Sequence, residues 1–432
     1  MIYKMMNREL IILGAMAVSS ASVFAESAHS HHGAGGQKHE VEAHDHSGSA
    51  ASSLVNKLEK SREQLNDKGL SLAGEYIYEY TNVLVGGINR GGSERSLFVF
   101  DAEFDLETIF GFKGATIFAQ YLHVTAENGG TQDTGDIQDY SNIESERSVD
   151  VLYELWYEQV FADGKYRFKV GKVDANTEFN YVDSAGGFAN SSAGFSPTVF
   201  ALPTYPNPAM SVNLFAELYE NEGNVFSLAY GFYDGSSALD EVATGRRGPS
   251  TFISDDRSND YFHILQAEQA WERFGSLGEG RLTVGGWYHS GSFEKFSGGS
   301  DSGTHGLFLT AEQRITQRSA GSDGGIFVFG QYGSADEDVS GVAQHVAAGL
   351  VTEGTFASRE SDSAGIYVTY VDLSDDTAAG YAKNECAIDA YYTFQINDHF
   401  AIQPELQYII NPSGSNDVSN ALVGGVRFSA SF

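Results

Sequence analysis

The sequence predicts an all-β fold, a transmembrane antiparallel β-barrel of about sixteen strands with a short N-terminal helix. Three observations predict it. Apolar and aromatic residues alternate with carboxylates at period two from about residue 72 onward. Short turns and long loops alternate between successive strand candidates. No stretch after the N-terminus is apolar for the roughly 18 to 20 residues of a membrane-spanning helix, so any crossing must be made by strands.

The alternation is clearest at Phe98, Phe100, Ala102, Phe104 and Leu106, which interleave with Val99, Asp101, Glu103, Asp105 and Glu107. One face is oily and the other carries four carboxylates. A soluble sandwich would bury the first face; a barrel turns it to lipid and turns the acids to water. The same division sets Val151, Tyr153, Leu155 and Tyr157 against Glu154, Trp156 and Glu158. It sets Phe400, Ile402, Leu406, Tyr408 and Ile410 against Gln403, Glu405 and Gln407. At the C-terminus, Leu422, Val426, Phe428, Ala430 and Phe432 face outward, opposite Val423, Arg427, Ser429 and Ser431.

The expected strands are 74–84, 95–109, 114–127, 150–162, 165–173, 208–220, 224–234, 260–272, 280–291, 304–317, 324–334, 341–352, 363–372, 383–396, 399–411 and 419–432. Boundaries between 273 and 383 are the least constrained, and fourteen or eighteen strands also fit the pattern. Turns at 111–114, 163–164, 221–223 and 397–398 are tight, whereas 128–149, 174–207 and 235–259 are long. This phase puts both chain ends on the short-turn, periplasmic side. Pro404 lies inside a strand with two neighbours and predicts a lost ladder bond with a local bulge.

Four regions follow. Residues 1–25 read as a signal peptide, with Lys4 and Arg8, an apolar stretch from Leu10 to Met16, and Val23-Phe24-Ala25 before the cut. Residues 26–52 read as a disordered tail with half of the twelve histidines. Residues 53–70 read as a short amphipathic helix stopped at Gly69, and 71–432 as the barrel. The formal charge of −32 opposes nucleic-acid binding and favours cations. The single cysteine, Cys386, excludes an intrachain disulfide scaffold.

Several stretches together resemble the carbohydrate-selective outer-membrane porins of the OprB type. They are Phe104-Asp105-Leu106-Glu107 with Gly111-Phe112-Lys113-Gly114, Tyr153-Glu154-Leu155-Trp156-Tyr157-Glu158-Gln159, and Lys169-Val170-Gly171-Lys172-Val173-Asp174-Ala175. Glu178-Phe179, Pro203-Thr204-Tyr205-Pro206, Ile402-Gln403-Pro404-Glu405-Leu406-Gln407-Tyr408 and Asn411-Pro412 follow in order. The resemblance runs from about residue 70 to 432 and leaves out the histidine tail. It implies a sixteen-stranded porin of the Gram-negative outer membrane, passing glucose-like sugars by diffusion, with no catalytic residues.

A sugar is neutral and covered in hydroxyls, so a channel selects it with hydrogen-bonding charges and aromatic faces. The expected pore-lining acceptors are Asp101, Glu103, Glu154, Glu158, Glu312 and Glu405. The donors are Arg167, Lys169, Arg281, Arg314 and Arg427, and Trp156 and Trp287 are platforms. For any single charge an ordinary lumen ion pair is the favoured account, because porin interiors are polar anyway, and an inward Trp can instead pack a plug. The long loop 174–207 contains Pro197, Pro203 and Pro206, and it carries Asp174, Glu178 and Asp183 but no Lys or Arg. It is the expected constriction, locally negative.

The alternative cargo is a cation or divalent metal. His29, His31, His32, His39, His44 and His46 offer neutral imidazoles to Zn²⁺, Cu²⁺ or Ni²⁺, though their spacing fixes no geometry. No cofactor is required by either reading. An enzyme would need a nucleophile with a positioned base; no G-x-S-x-G occurs, and His123 and His289 lie in no motif. Expected partners are outer-membrane lipid, small sugars, and the barrel assembly machinery, which would read the C-terminal strand. The chain could act as a monomer or a trimer.

Overall fold

The structure is a computed structural model that describes residues 59–432 apart from 126–129, 146–147, 236–259, 318–323, 355 and 357. The signal segment, the histidine tail with His29, His31, His32, His39, His44 and His46, and the start of the expected helix lie outside the described residues. Residues 59–66 are helical (α1), and the chain turns at 67–69 into the first strand.

Sixteen antiparallel strands close into one barrel, each pairing with its sequence neighbours and the first with the last. They are β1 Leu70–Gly87, β2 Gly92–Asp105, β3 Ala115–Thr125, β4 Val149–Phe161, β5 Tyr166–Val173, β6 Ala209–Asn221, β7 Asn224–Asp234 and β8 Tyr261–Trp271. The second half is β9 Gly280–Glu294, β10 Ser300–Gln317, β11 Gly325–Ala335, β12 Val342–Glu353, β13 Ser363–Leu373, β14 Glu385–Asn397, β15 Phe400–Ile410 and β16 Ser419–Ser431. Exposed Leu, Val, Ile and Phe side chains such as Leu214, Leu265, Val346, Ile366 and Phe428 populate the outer face. That is the pattern of strands whose outward side chains meet lipid.

Closure rests on β1 and β16. Their ladder runs from Glu75↔Ser431 to Gly87↔Ser419. Beyond it, Gly74 and Phe432 exchange two backbone hydrogen bonds at 3.2 and 3.0 Å. A Cβ on Gly74 would sit 2.4 Å from the Phe432 ring, so glycine there lets the terminal ring lie across the strand.

Three details differ from the sequence reading. First, β2 ends at Asp105, and Leu106–Phe110 form a one-turn helix (α2). The Asp105 carboxylate accepts from Glu107 N at 2.9 Å, and Gly111 closes the turn at φ 78°. Glu107 therefore belongs to the turn and not to the inner face.

Second, the β3–β4 register slips between Gln120 and Tyr121, leaving Tyr153 as an extra residue. Below the slip Leu155 faces outward as expected; above it Leu152 is exposed and Val149 is buried. Tyr153 and Glu154 are both buried, so Tyr153 lies inside and Val151 is out of the expected phase. A bulge shifts every side chain beyond it to the other face.

Third, no bulge forms at Pro404. The β14–β15 ladder skips Tyr392 and Thr393 but resumes in unchanged register from Tyr391↔Glu405 to Phe394↔Ile402. Thr393 Oγ1 donates to Gln403 Oε1 at 2.8 Å beside the gap, so a side-chain bond stands near the missing ladder bonds.

Gly171 adopts φ 140°, and a Cβ there would meet Leu155 O at 2.3 Å and Trp156 Cα at 2.6 Å, both backbone atoms. Gly171→Ala should therefore destabilise the barrel by about 1–3 kcal/mol through backbone strain. A fall in the urea midpoint of the folded band in detergent would show it; an unchanged midpoint would refute the close approach.

Candidate functional site

Two long loops fold into the barrel instead of standing above it. The β5–β6 loop, 174–208, is almost wholly buried, as is the described part of the β3–β4 loop, 130–145. A loop taken out of water must find partners for its backbone amides. Wall carboxylates supply many of them. Glu312 on β10 accepts from Asp183 N at 3.1 Å and Ser184 N at 2.7 Å. Glu385 on β14 accepts from Ile137 N at 2.9 Å, Gln138 N at 3.2 Å and Ser413 N at 2.7 Å. Glu154 accepts from Asp174 N at 2.8 Å, and Asp389 accepts from Asn190 N at 3.3 Å.

Apolar packing locks the same loops. Phe188 lies against Tyr367, Tyr391 and Phe329, with ring centroids 4.6, 4.9 and 5.9 Å away. Phe179, Phe195, Val199 and Leu202 pack with Tyr233, Phe262, Trp287 and Phe308 of the wall. Fully burying each such side chain contributes roughly 1.5–3 kcal/mol. The loops also bond to each other: Asn142 N donates to Ala189 O at 2.7 Å and Ser191 N to Asp139 O at 2.9 Å. His345 joins them through the wall, touching Ser196 Oγ at 3.1 Å and Thr369 Oγ1 at 2.9 Å, while Thr369 Oγ1 donates to Gln138 Oε1 at 2.6 Å.

Below the loops an open vestibule of about 1050 Å³ reaches the short-turn rim. Asn142 and Ile143 of one loop and Asp183, Ser184, Gly186 and Gly187 of the other form its inner end. Among the residues nominated from sequence, Asp183, Arg281, Glu312, Arg314 and Arg427 line it. Arg281 bridges Glu312 at 2.5 Å and Asp183 at 3.2 Å and stacks over the Tyr181 ring at 4.2 Å. Asp183 leaves 76% of its side chain open. Arg314 pairs with Glu279 at 2.7 Å. Arg427 bonds Glu79 at 2.5 Å and Asn142 Oδ1 at 2.7 Å.

The other nominated residues face inward but serve the wall and the loops. Arg167 bonds Glu158 at 2.8 Å and Glu178 at 2.7 Å, and Lys169 bonds Glu178 and lies 3.8 Å from the Trp156 ring centre. Trp156 stacks on Phe118 at 4.9 Å. Asp101 accepts from Gln120 at 2.8 Å, and Glu405 accepts from Gln407 at 2.6 Å. Glu103 is half-buried within electrostatic reach of Glu158 and Lys169. Trp287 is 3% exposed under the loop beside Phe200 and Phe262, so it packs a plug and presents no open platform.

Of the three loop acids, only Asp183 faces the open space. Asp174 is buried, caps Asn176 N at 2.8 Å and accepts from Tyr153 Oη; burial pushes it up to about 6. Burial also pushes Glu178 upward, but Arg167 and Lys169 outweigh it and hold the carboxyl at about 2. The charge that the loop carries on paper is thus largely neutralised by the wall.

Sequence reasoning missed Arg95, Glu79, Tyr140, Glu385 and His345. For Glu79 and Arg95 the signal existed: Tyr76, Tyr78 and Tyr80 take one face of β1 and leave Glu79 inward, where Arg95 Nη1 meets it at 2.8 Å. For Tyr140 and His345 no local signal existed, because their partners lie on distant segments.

The model of the carbohydrate-selective porin, OprB family, matches residues 90–432. The chain belongs to that family. It is 23% identical to Porin B of Pseudomonas aeruginosa over 420 residues, 86% of this chain and 89% of the relative. It is 22% identical to the putative porin QuiX of Acinetobacter baylyi, covering 86% of this chain and 91% of that protein. The high-pH structure of Pseudomonas putida OprB superposes at TM-score 0.78 and 20% identity, covering 87% of this chain and 97% of the other. A Salmonella typhi OmpF complex superposes at TM-score 0.51 and 12% identity, a likeness of fold alone. Family and fold are those of an outer-membrane channel of Gram-negative bacteria, and the family's cargo is carbohydrate.

Two predictions follow from the docked loops. Glu385→Ala removes the acceptor of three amide donors, that of Gln138 buried and those of Ile137 and Ser413 part-buried, at a local cost of about 2 kcal/mol. Limited proteolysis of the folded barrel should then cut within 130–145 faster than in wild type, and an equal rate would contradict the anchor. For Glu178 the folded value is depressed, so its contribution is present above its ordinary 4.5 and lost as pH falls toward 2. Glu178→Gln should flatten the acid limb of stability against pH across that window, while leaving an unchanged limb only if the ion pairs contribute nothing.

Proposed function

We propose that the chain passes small neutral sugars, glucose-like ones in particular, down their gradient into the periplasm, with the short-turn rim facing that compartment. The observation that carries this reading is the neck made by Asp183, Arg281 and Glu312 at the inner end of the vestibule. Its two carboxylates share one guanidinium, so their long-range fields cancel only in part and one net negative charge remains. Their remaining lone pairs and N–H groups stay available to hydroxyls. An anion gains little from such a neck, whereas a polyol can exchange hydrogen bonds with both kinds of partner. The β5–β6 loop serves as the constriction, and the β3–β4 loop braces it.

Planar-bilayer recording tests the reading. Glucose should reduce the ion current in a saturable manner, and Asp183→Ala should weaken that block about tenfold, the loss of one charge-assisted hydrogen bond. Strong cation selectivity with no block by sugar would instead favour the cation or metal cargo.

A further inference from the structure

We propose that His345 is a positioning residue of the constriction. As a neutral imidazole with its hydrogen on Nε2, it ties the β5–β6 loop to the β3–β4 loop through the barrel wall and fixes the gap between them. This rests on the reading of those two loops as the constriction of a sugar path.

The wall is shaped to bring the first loop to this histidine. His345 on β12 faces inward and is fully buried. Its partner across the β11–β12 ladder is Gly333. A Cβ at Gly333 would collide with Ser196 Oγ and Thr198 Oγ1, so glycine there opens a notch that admits the β5–β6 loop. Ser196 Oγ lies 3.1 Å from His345 Nδ1. On the other side of the ring, Nε2 lies 2.9 Å from Oγ1 of Thr369 on β13. Thr369 in turn reaches Gln138 of the β3–β4 loop at 2.6 Å.

The direction of each bond follows from the Glu385 end. A carboxylate only accepts. Glu385 takes hydrogens from the backbone amides of Ile137, Gln138 and Ser413 and from Gln138 Nε2 at 3.2 Å. The Gln138 side chain therefore presents its oxygen to Thr369, and the one hydroxyl hydrogen of Thr369 goes to it. Thr369 has no hydrogen left for His345, so Nε2 carries the ring hydrogen and donates it to Thr369 Oγ1. Nδ1 of the neutral ring is then a bare acceptor and takes the Ser196 hydrogen. With that hydrogen spent, Ser196 Oγ accepts from Thr198 Oγ1 at 2.8 Å and from Thr198 N at 3.4 Å. Every hydrogen in the series points the same way, from Thr198 toward Glu385. Aligned bonds of this kind polarise one another. Ser196, Thr198, His345, Thr369 and Gln138 are each at most 2% exposed, so bulk solvent does not compete for these groups.

The place where the series meets the loops gives it its effect. The loops also bond to each other directly, at Asn142 with Ala189, Ser191 with Asp139 and Tyr205 with Ile143. Those bonds hold two loop edges together. The series refers both loops to β12 and β13, so their spacing is set by the barrel as well as by mutual contact. Asn142 and Ile143 of one loop and Asp183 and Ser184 of the other bound the inner end of the vestibule, so that spacing is the width of the path. A side chain at position 345 must accept on one side and donate on the other across a rigid spacing, which the imidazole ring does.

The test is single-channel recording of the folded full chain in planar bilayers, with glucose as blocker. Bonds in series fail together, so Ser196→Ala, Thr369→Val and His345→Leu should raise conductance by the same factor, and pairwise combinations should raise it no further. Each should weaken glucose block by a common factor of about five, the scale of one lost hydrogen bond. Nitrogen NMR of the histidine-labelled barrel should place the His345 hydrogen on Nε2. Ser196→Ala and Thr369→Val each remove one hydroxyl and carry the test if His345→Leu does not fold. Additive effects in the pairs, conductance unchanged in the folded variants, or a hydrogen on Nδ1 would overturn the proposal. A wild-type channel that conducts ions but is not blocked by glucose would overturn the sugar reading instead, while the conductance series still decides the role of His345.

Discussion

A loop drawn into the lumen of a barrel brings backbone amides to a place where no strand can pair them and little water reaches them. Leaving such a donor unpaired costs roughly 1–3 kcal/mol each. The rest of this structure depends on how that cost is met. Carboxylates on the inner wall accept the loop amides, most clearly Glu312 at Asp183 and Ser184 and Glu385 at Ile137 and Gln138. A carboxylate suits the task because each oxygen accepts more than one hydrogen bond and the charged acceptor makes each bond stronger. The inner acids of the strands are thus first of all sockets, and only a minority are left to meet a solute.

This division of labour organises the electrostatics. On the inner wall the positive groups Arg95, Arg167 and Lys169 are spent on Glu79, Glu158 and Glu178. The vestibule lining holds seven carboxylates and three guanidiniums. This division of labour therefore decides which charges a solute can meet. It also explains why the total charge of the chain is a poor guide to selectivity, since much of it is consumed in holding the loops.

The barrel was legible in the sequence because period two is imposed by the strand itself, and lipid on one side and water on the other keep the two faces chemically distinct. Strands such as β7 and β13 were readable nearly to the residue for that reason. The phase of β4 was not, because a bulge at Tyr153 leaves no mark in an alternating pattern that is only locally correct. The length and prolines of the β5–β6 loop mark it in the sequence as a segment of restricted backbone freedom. The role of the β3–β4 loop could not be anticipated, since Gln138, Tyr140 and Asn142 look like any polar surface segment until Glu385, Arg95 and Arg427 are placed beside them. Trp287 was visible as an anomaly, and only the packed loop above it decided between platform and plug.

The most direct test of the account is amide hydrogen exchange on the folded barrel in detergent, resolved at the loop residues. If wall carboxylates hold the loops, the amides of Ile137, Gln138, Asp183, Ser184 and Asn190 should exchange as slowly as amides in the central strands. Exchange at those five sites as fast as in solvent-exposed turns such as 163–164 would contradict it.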